Sequence, residues 1–186
     1  MNINIIHLPH RIDRLALLQI ELANQNITQY TIWSGIVDSI LTCRGISSAH
    51  KQIVQYAFDR NLPEILIGED DLHFTSNGAF NYFLDNKPEK FDLYLASIYE
   101  GHIKKDKTVT DFSGLTFYII SSGFYETFLN IPDHLHIDRA LNGTGNFFVC
   151  QPFPVIQHDG FSDNYKTFLN YSKLFSKTQL FNGKGS

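Results

Sequence analysis

Three consecutive acids end a short apolar run in the first half of the chain. Residues 65–67 are Ile-Leu-Ile, and after a glycine they lead into Glu69, Asp70 and Asp71. Such a run is typical of a strand buried on both faces of a sheet, and ligands of open α/β sheets bind beyond the carboxyl ends of the strands. Adjacent carboxylates repel one another unless they share a positive charge, which Mg²⁺ or Mn²⁺ bound together with phosphate oxygens would supply. A solvated acidic turn is the alternative interpretation.

A basic turn near the amino terminus is a second candidate site. It follows an apolar run typical of a strand and contains His10, Arg11, Asp13 and Arg14. Arginines in a turn at the carboxyl end of a strand are well placed to bind a phosphate or a carboxylate. Solvated residues at the start of a helix are the alternative interpretation of the same pattern.

Several histidines occur in positions where they could serve a site. His134 and His136 alternate as in a strand and could both ligate a metal, although one such pair is a weak signal. His50 falls in the first turn of a predicted helix, where a lone histidine is more often structural. His158 follows a short predicted strand and precedes an Asp-Gly turn.

The hydrophobic pattern predicts alternating strands and helices, and therefore an α/β fold. Strands are predicted at residues 3–8, 30–33, 65–67, 91–95, 115–120, 147–150 and 155–156. Ser47 or Ser48 is expected to cap the second helix, and Ser162 a last helix. The polar residues 99–113 predict an exposed loop, either a lid or a disordered connection.

Length and composition limit the classes of function. A chain of 186 residues with 43% hydrophobic and 18% charged residues predicts one globular domain. A net charge of −4 without a basic run argues against nucleic-acid binding. Cys43 and Cys150 form neither a metal motif nor a disulfide framework, and no signal peptide or membrane-spanning run is visible. We therefore expect a cytoplasmic protein, with residues 177–186 as a flexible tail.

Four segments, taken in order, resemble glycosyltransferase family 25, the lipooligosaccharide-type galactosyltransferases. Residues 6–14 resemble the family's apolar strand and basic turn ending in Asp-Arg, and residues 45–50 its Gly-Cys-x-x-Ser-His helix start. Residues 66–71 resemble its Leu-Glu-Asp-Asp motif. Residues 117–138 are similar to its later strand, small-residue turn and Asp-containing loop. The order and spacing of these segments make the match more specific than any one of them.

The resemblance implies a fold and an activity. The fold is a single GT-A-like (Rossmann-like) domain over residues 1–176, with a mostly parallel central sheet flanked by helices. The activity is the inverting transfer of galactose or glucose from a UDP-sugar to a glycan acceptor such as lipooligosaccharide, with Mn²⁺ or Mg²⁺ as cofactor. A lipid-linked acceptor or a partner would bring the enzyme to the inner face of the membrane.

The resemblance also implies which residues hold the metal and which one acts as base. Asp71 is the expected direct ligand, Glu69 is expected to help directly or through water, and His158 is expected to complete the set. Inversion requires a carboxylate that deprotonates the acceptor hydroxyl. Asp138 matches that role, with Asp163 in reserve.

Donor binding is expected to involve four further residues. Arg11 and Arg14 would contact the nucleotide or the diphosphate, with only one of them in direct contact. Asp70 would face the ribose of the nucleotide. His50 would brace the site from behind the residues that touch the donor.

Two other functions stay open at the level of sequence. Ile46 and Ala49 stand where the family has Cys and Ser, and the chain is short. These departures favour a non-catalytic nucleotide-sugar or glycan-binding protein. Clustered Asp and His could instead form a metal-dependent phosphoesterase, which would release phosphate without a sugar acceptor, but the histidines are scattered along the chain.

Overall fold

The apolar runs of the sequence form strands that alternate with helices. The computed structural model describes residues 1–183. Its strands are β1 (Ile3–His7), β2 (Tyr30–Ser34), β3 (Glu64–Glu69), β4 (Leu72–Phe74), β5 (Leu93–Leu95), β6 (Glu100–Ile103), β7 (Thr108–Ser113), β8 (Phe117–Ser121), β9 (Phe147–Val149), β10 (Val155–Gln157), β11 (Gly160–Ser162) and β12 (Thr167–Leu169). Its helices are α1 (Ile12–Asn24), α2 (Thr42–Asp59), α3 (Ala79–Asp85), α4 (Tyr125–Leu129), α5 (Ile137–Ala140) and α6 (Tyr171–Leu174), with a 3₁₀ turn at Ser122–Phe124.

A mixed central sheet organises the domain. Within residues 1–183 it has eight strands in the order β2-β1-β3-β8-β5-β9-β7-β6. β1 lies parallel between β2 and β3, whereas β8 lies antiparallel between β3 and β5. β4 pairs with β10 and β11 with β12 in two small antiparallel sheets. The predicted α/β class, with a large central sheet flanked by helices, is confirmed.

Strand β3 is buried on both faces, as its sequence predicts. Ile65 and Ile67 belong to the apolar layer that contains α2, α4 and α5, and Leu66 belongs to the layer that contains α1 and α3. Burying a side chain of this size stabilises a protein by about 1.5–3 kcal/mol. The two layers therefore fix β3, and with it the position of the acids at its carboxyl end.

Helix α2 begins earlier than the sequence pattern suggested. The predicted serine cap is wrong, because the helix starts at Thr42 and Ser47 is buried inside it. Asp38 stabilises the preceding turn by accepting hydrogen bonds from two backbone amides and pairing with Arg44. Gly45 permits the close approach of the helix to this turn, since a Cβ there would collide with the backbone before Asp38.

Two stretches predicted as loop or helix are hairpins. Residues 99–113, expected to be an exposed loop, form β6 and β7, and Val109 and Phe112 are buried. A register shift in β6 hides the alternation that would have revealed the strands. Ser162 does not cap a helix, because it ends β11, and Lys166 turns the chain into β12 with a φ of 53°.

The described part of the expected tail is docked on the domain. Phe181 is buried and stacks on Tyr82, with ring centroids 4.2 Å apart. Leu180 forms an isolated bridge with Phe153. Leu180 and Phe181 thus contact the domain, and residues 184–186 of the predicted flexible tail lie outside the described residues.

Candidate functional site

The acidic triplet lies at the edge of the sheet where β1 also ends. β1 and β3 are parallel, with Ile6 opposite Glu69. The last residue of β1, His7, therefore reaches Asp70, with His7 Nδ1 2.7 Å from Asp70 Oδ2. The Leu8 amide donates to the same oxygen at 3.3 Å. His7 was not among the candidate residues from the sequence, although its place at the end of a predicted strand was a usable signal.

Arg14 gives two of the acids a shared positive charge. Its Nη1 lies 2.9 Å from Asp70 Oδ1 and 2.9 Å from Asp71 Oδ2. Burial works against the charged guanidinium, but Asp71 and Asp70 outweigh it and raise the pKa of Arg14. The positive charge that the triplet was predicted to need is thus supplied, within the protein, by the first turn of α1.

Arg11 pairs with other acids and contacts the β11–β12 hairpin. It forms a two-point contact with Asp13 and places Nη1 2.6 Å from Asp163 Oδ2. The carbonyl oxygen of Phe161, in β11, accepts from both Arg11 and Arg14 at 3.0 Å. Burial raises the pKa of Asp163, but Arg11 more than offsets this and holds it below its usual value.

Gln157, at the end of β10, joins the outer two acids of the triplet. Its Nε2 donates to Glu69 Oε2 at 3.1 Å and to Asp71 Oδ1 at 3.0 Å. Burial raises the pKa of Asp71 to about 7, with Glu69 and Asp70 adding to the shift and Arg14 opposing it. The Gln157 amide thus brings one oxygen of each carboxylate close together, and carboxylate oxygens are ligands that suit Mg²⁺ or Mn²⁺.

His50 holds Glu69 from the side of α2. Its Nδ1 lies 2.9 Å from the Tyr118 hydroxyl, and its Nε2 lies 3.4 Å from Glu69 Oε1. The Glu69 amide donates to the Thr116 carbonyl at 2.8 Å. Burial raises the pKa of Tyr118 well above its usual value, so that its hydroxyl stays neutral. These contacts place His50 between Tyr118 and Glu69, where it can hold the Glu69 side chain in position.

Asp138 is bound to the connection between β7 and β8. Its Oδ2 accepts from the Ser113 hydroxyl and the Gly114 amide, both at 2.9 Å, and its Oδ1 accepts from the Arg139 amide at 2.8 Å. This connection leads directly to Thr116, which accepts the hydrogen bond from Glu69. A carboxylate offers about four lone-pair sites, so these three bonds leave room for one more donor.

The imidazole of His158 contacts residues other than the triplet. Its Nε2 lies 3.0 Å from Glu21 Oε1 in α1, and its ring stacks against His73 with centroids 4.6 Å apart. Its backbone amide donates to the Asp71 carbonyl at 2.8 Å. Glu21 was missed because it lies in a helix, yet an acid that follows Leu18 by three residues on the apolar face was a detectable signal.

A cavity of about 590 Å³ lies beside the end of β10. Gln157, His158 and His73 line one side, and Ser172 and Phe175 of the α6 region line the other. This volume is within the range of small-ligand sites. His134 and His136 are not part of it, since they lie exposed in the turn before α5.

Comparisons with known proteins show the fold. No protein-family model matches the sequence, and the comparison with curated proteins finds no match. Among solved structures, A197 from STIV matches with a TM-score of 0.55 at 12% identity, covering 100% of this chain and 96% of that one. The similarity to A197 is a shared fold over the whole chain.

Two further solved structures match at lower TM-scores. HddC from Yersinia pseudotuberculosis, complexed with GMP-PN, gives 0.45 at 12% identity, covering 84% of this chain and 92% of its own. A Drosophila beta-1,4-galactosyltransferase 7 with manganese, UDP-Gal and xylobiose gives 0.47 at 13% identity, covering 97% and 75%. Among the described helices of the present chain, none is both long and apolar enough to cross a membrane.

Proposed function

We propose that this chain is a metal-dependent glycosyltransferase that moves a hexose, galactose or glucose, from a UDP-sugar to a glycan acceptor. One observation carries the proposal: the segments that resemble family 25 in the sequence contact one another in the fold. Arg14, from the first segment, binds the acidic triplet of the third. His50, from the second, lies between Glu69 and Tyr118, which belong to the third and fourth.

Glu69 and Asp71 are the proposed ligands of Mn²⁺ or Mg²⁺. One oxygen of each carboxylate accepts a hydrogen bond from Gln157 Nε2, so these two oxygens lie on the same side of the site. A divalent ion held by the two carboxylates would stabilise the charge that develops on the departing diphosphate. His158, the third ligand expected from the resemblance, contacts Glu21, so the proposal assigns the ion to the two carboxylates.

Arg14 is the proposed diphosphate contact. It is the arginine that touches the triplet, so a metal-bound diphosphate would lie within its reach. A guanidinium binds phosphate oxygens through two parallel hydrogen bonds. Asp70 and Arg11 would support donor binding by holding Arg14 and the neighbouring hairpin in position.

Asp138 is the proposed base for the acceptor hydroxyl. Three hydrogen bonds fix the orientation of its carboxylate, and one acceptor site stays available for a substrate hydroxyl. The direction of attack and the acceptor, a lipooligosaccharide or another lipid-linked glycan, are proposed on the resemblance to family 25.

Thermal stability with UDP, GDP and CMP, each with and without Mn²⁺, tests the donor site. A ligand that binds only the folded state raises stability by about 2.7 kcal/mol at a hundredfold excess over its dissociation constant. We expect a shift that requires both UDP and Mn²⁺ and that Asp71→Asn abolishes. No shift with any nucleotide would overturn the proposal.

A transfer assay separates an enzyme from a binding protein. UDP-galactose and UDP-glucose would be incubated with Mn²⁺ and with glycan acceptors, and release of UDP would be followed. Turnover supports the transferase. Stoichiometric UDP binding without hydrolysis or transfer would instead assign the chain to the non-catalytic nucleotide-sugar-binding class.

A further inference from the structure

Glu21, His73 and His158 form a cluster beside the acidic triplet but separate from it. Glu21 Oε1 lies 2.7 Å from His73 Nδ1 and 3.0 Å from His158 Nε2. One ligand atom of each residue lies within 4.8 Å of the other two. The residues come from α1, β4 and the segment after β10, so the cluster exists only in the folded chain.

Strand pairing explains why the two histidines meet. β4 and β10 are antiparallel, and His73 is opposite Ile156. His158 follows Ile156 by two residues, just beyond the end of β10, and is therefore a diagonal neighbour of His73 on the same face. α1 packs across β4 and brings Glu21 to the rings from the other side.

The carboxylate of Glu21 is fixed and ionised. Its Oε2 accepts from the Phe74 amide at 3.0 Å, which leaves Oε1 facing both imidazoles. A glutamate carboxylate, with an ordinary pKa of about 4, carries a negative charge at neutral pH, as a metal ligand must.

His158 Nε2 has an incomplete set of partners. The atom is buried, and within the described residues it has no partner in regular hydrogen-bond geometry. Its contact with Glu21 Oε1 is an ion-pair distance only. When this nitrogen is unprotonated, its lone pair meets no donor in the described part of the protein. Coordination of a cation would satisfy that lone pair.

We propose that Glu21 Oε1, His73 Nδ1 and His158 Nε2 form a second metal site, for Zn²⁺ or a similar transition-metal dication. Two imidazoles and one carboxylate, with a position left open, are a recurrent ligand set for such ions. Ligand atoms about 2.0–2.2 Å from a metal lie about 3–3.5 Å from one another. The two N···O distances observed here are 2.7 and 3.0 Å, so the ligand atoms would move slightly apart around an ion. The proposal does not depend on glycosyl transfer.

The cluster lies next to both a cavity and the acidic triplet. Both histidines line the 590 Å³ cavity, so an ion can reach them from solvent. His73 is two residues from Asp71, and His158 follows Gln157, which binds Asp71 and Glu69. An ion in this cluster would tie α1, β4 and β10 together and so fix the carboxylates of the neighbouring site.

Titration of the metal-free protein with Co²⁺ tests the second site, because Co²⁺ bound by imidazole gives a visible absorption spectrum. In the absence of nucleotide, we expect one Co²⁺ to bind saturably with this imidazole spectrum, apart from any Co²⁺ held by the carboxylates of Glu69 and Asp71, and we expect Zn²⁺ to displace it. His73→Asn, His158→Asn and Glu21→Gln are each expected to weaken binding by about tenfold or more. His102→Asn, at an exposed histidine in β6, and Asp71→Asn are expected to leave it unchanged.

Two outcomes would overturn the second site. One is the absence of saturable Co²⁺ binding, and the other is binding that Asp71→Asn removes while His73→Asn does not. If the cluster variants fail to fold by circular dichroism, protection of the wild-type chain replaces them. Zn²⁺ should then shield His73, which is partly exposed, but not His102, from diethyl pyrocarbonate, as measured by mass spectrometry of the peptides. Equal labelling with and without Zn²⁺ would reject the site.

Discussion

The Nη1 atom of Arg14 lies 2.9 Å from Asp71 Oδ2, the carboxylate that we propose as the main metal ligand. A guanidinium and a divalent cation are both attracted to the negative charge of this carboxylate, so Arg14 and the metal compete for it. In a complex with the donor, the diphosphate would offer Arg14 a new partner. Arg14 therefore affects metal binding and donor binding in opposite directions.

Arg14→Gln is expected to strengthen Mn²⁺ binding by the nucleotide-free protein by about tenfold and to weaken UDP binding in the presence of Mn²⁺ by a similar factor. Isothermal titration calorimetry measures both affinities. Arg11→Gln is the matched control, because Arg11 pairs with Asp13 and Asp163 and not with Asp71. Its Mn²⁺ affinity should equal that of the wild type, and an equal change in both variants would disprove the competition.

Asp71→Asn is expected to stabilise the metal-free protein at alkaline pH. Burial raises the pKa of Asp71 from its ordinary value of 3.8 to about 7. The folded chain therefore favours the protonated form of Asp71. The contribution of this proton to the free energy of unfolding is complete below about pH 4 and is lost as the pH rises through 7. The variant, which cannot ionise, should be more stable than the wild type by about 1–3 kcal/mol at pH 8, and the gain should disappear towards pH 4.

Asp163→Asn is the control for that pH dependence, because the pKa of Asp163 is held low by Arg11. A lowered pKa stabilises the folded chain above the unfolded value, so this variant should lose stability at neutral pH and approach the wild type in acid. Urea denaturation at several pH values measures both variants. The same sign of effect at pH 8 in both would contradict the assignment of charge burial to Asp71.

Tyr118→Phe is expected to destabilise the protein by about 1–3 kcal/mol, because it leaves the buried His50 Nδ1 without its partner. Tyr125→Phe is the matched control. The Tyr125 hydroxyl is buried and has no hydrogen-bond partner among the described residues, so its removal should be neutral or stabilising. Urea denaturation compares the two free energies of unfolding, and equal losses would show that the His50 contact contributes nothing specific.

Asp138→Asn is expected to lower kcat for sugar transfer by about a hundredfold or more while the UDP and Mn²⁺ affinities stay within a factor of about two. The amide can still accept one hydrogen bond from the β7–β8 connection, but it cannot take a proton from the acceptor. Ser113→Ala, which removes one of the anchoring bonds and keeps the carboxylate, should retain most of kcat. Full activity in Asp138→Asn would leave the residue with a purely structural role.

The residues at the ends of strands were the part of the site that sequence could predict. Residues 65–67 are a continuous apolar run, so their burial on both faces and the position of the acids at the end of the strand follow from local chemistry. The burial of Asp70 and Asp71 does not follow from it. Arg14 follows from the same rule applied to β1. Parallel neighbouring strands end at the same edge of a sheet. A contact between Arg14 and the acids is therefore compatible with the sequence, although the sequence does not give the strand order.

The missed residues depend on contacts that no local pattern records. Gln157 is adjacent in sequence to His158, but only the pairing of β10 with β4 brings its amide to Glu69 and Asp71. Glu21 is attached to a helix whose direction across β4 is fixed by tertiary packing. The spacing of the aromatic residues fits the helix predicted from Ser162 through Leu169 as well as it fits a strand. The observed hairpin instead turns at Lys166 with a positive φ, which no residue pattern indicates.

The shared use of the Phe161 carbonyl has a mechanical consequence. This one oxygen accepts from Arg11 and Arg14, and the rings of Phe161 and Phe168 on the same hairpin are largely exposed. The hairpin is thus held by hydrogen bonds from the two guanidinium groups more than by buried apolar surface. An anion that bound both arginines would therefore weaken the contacts that hold these two aromatic residues in place.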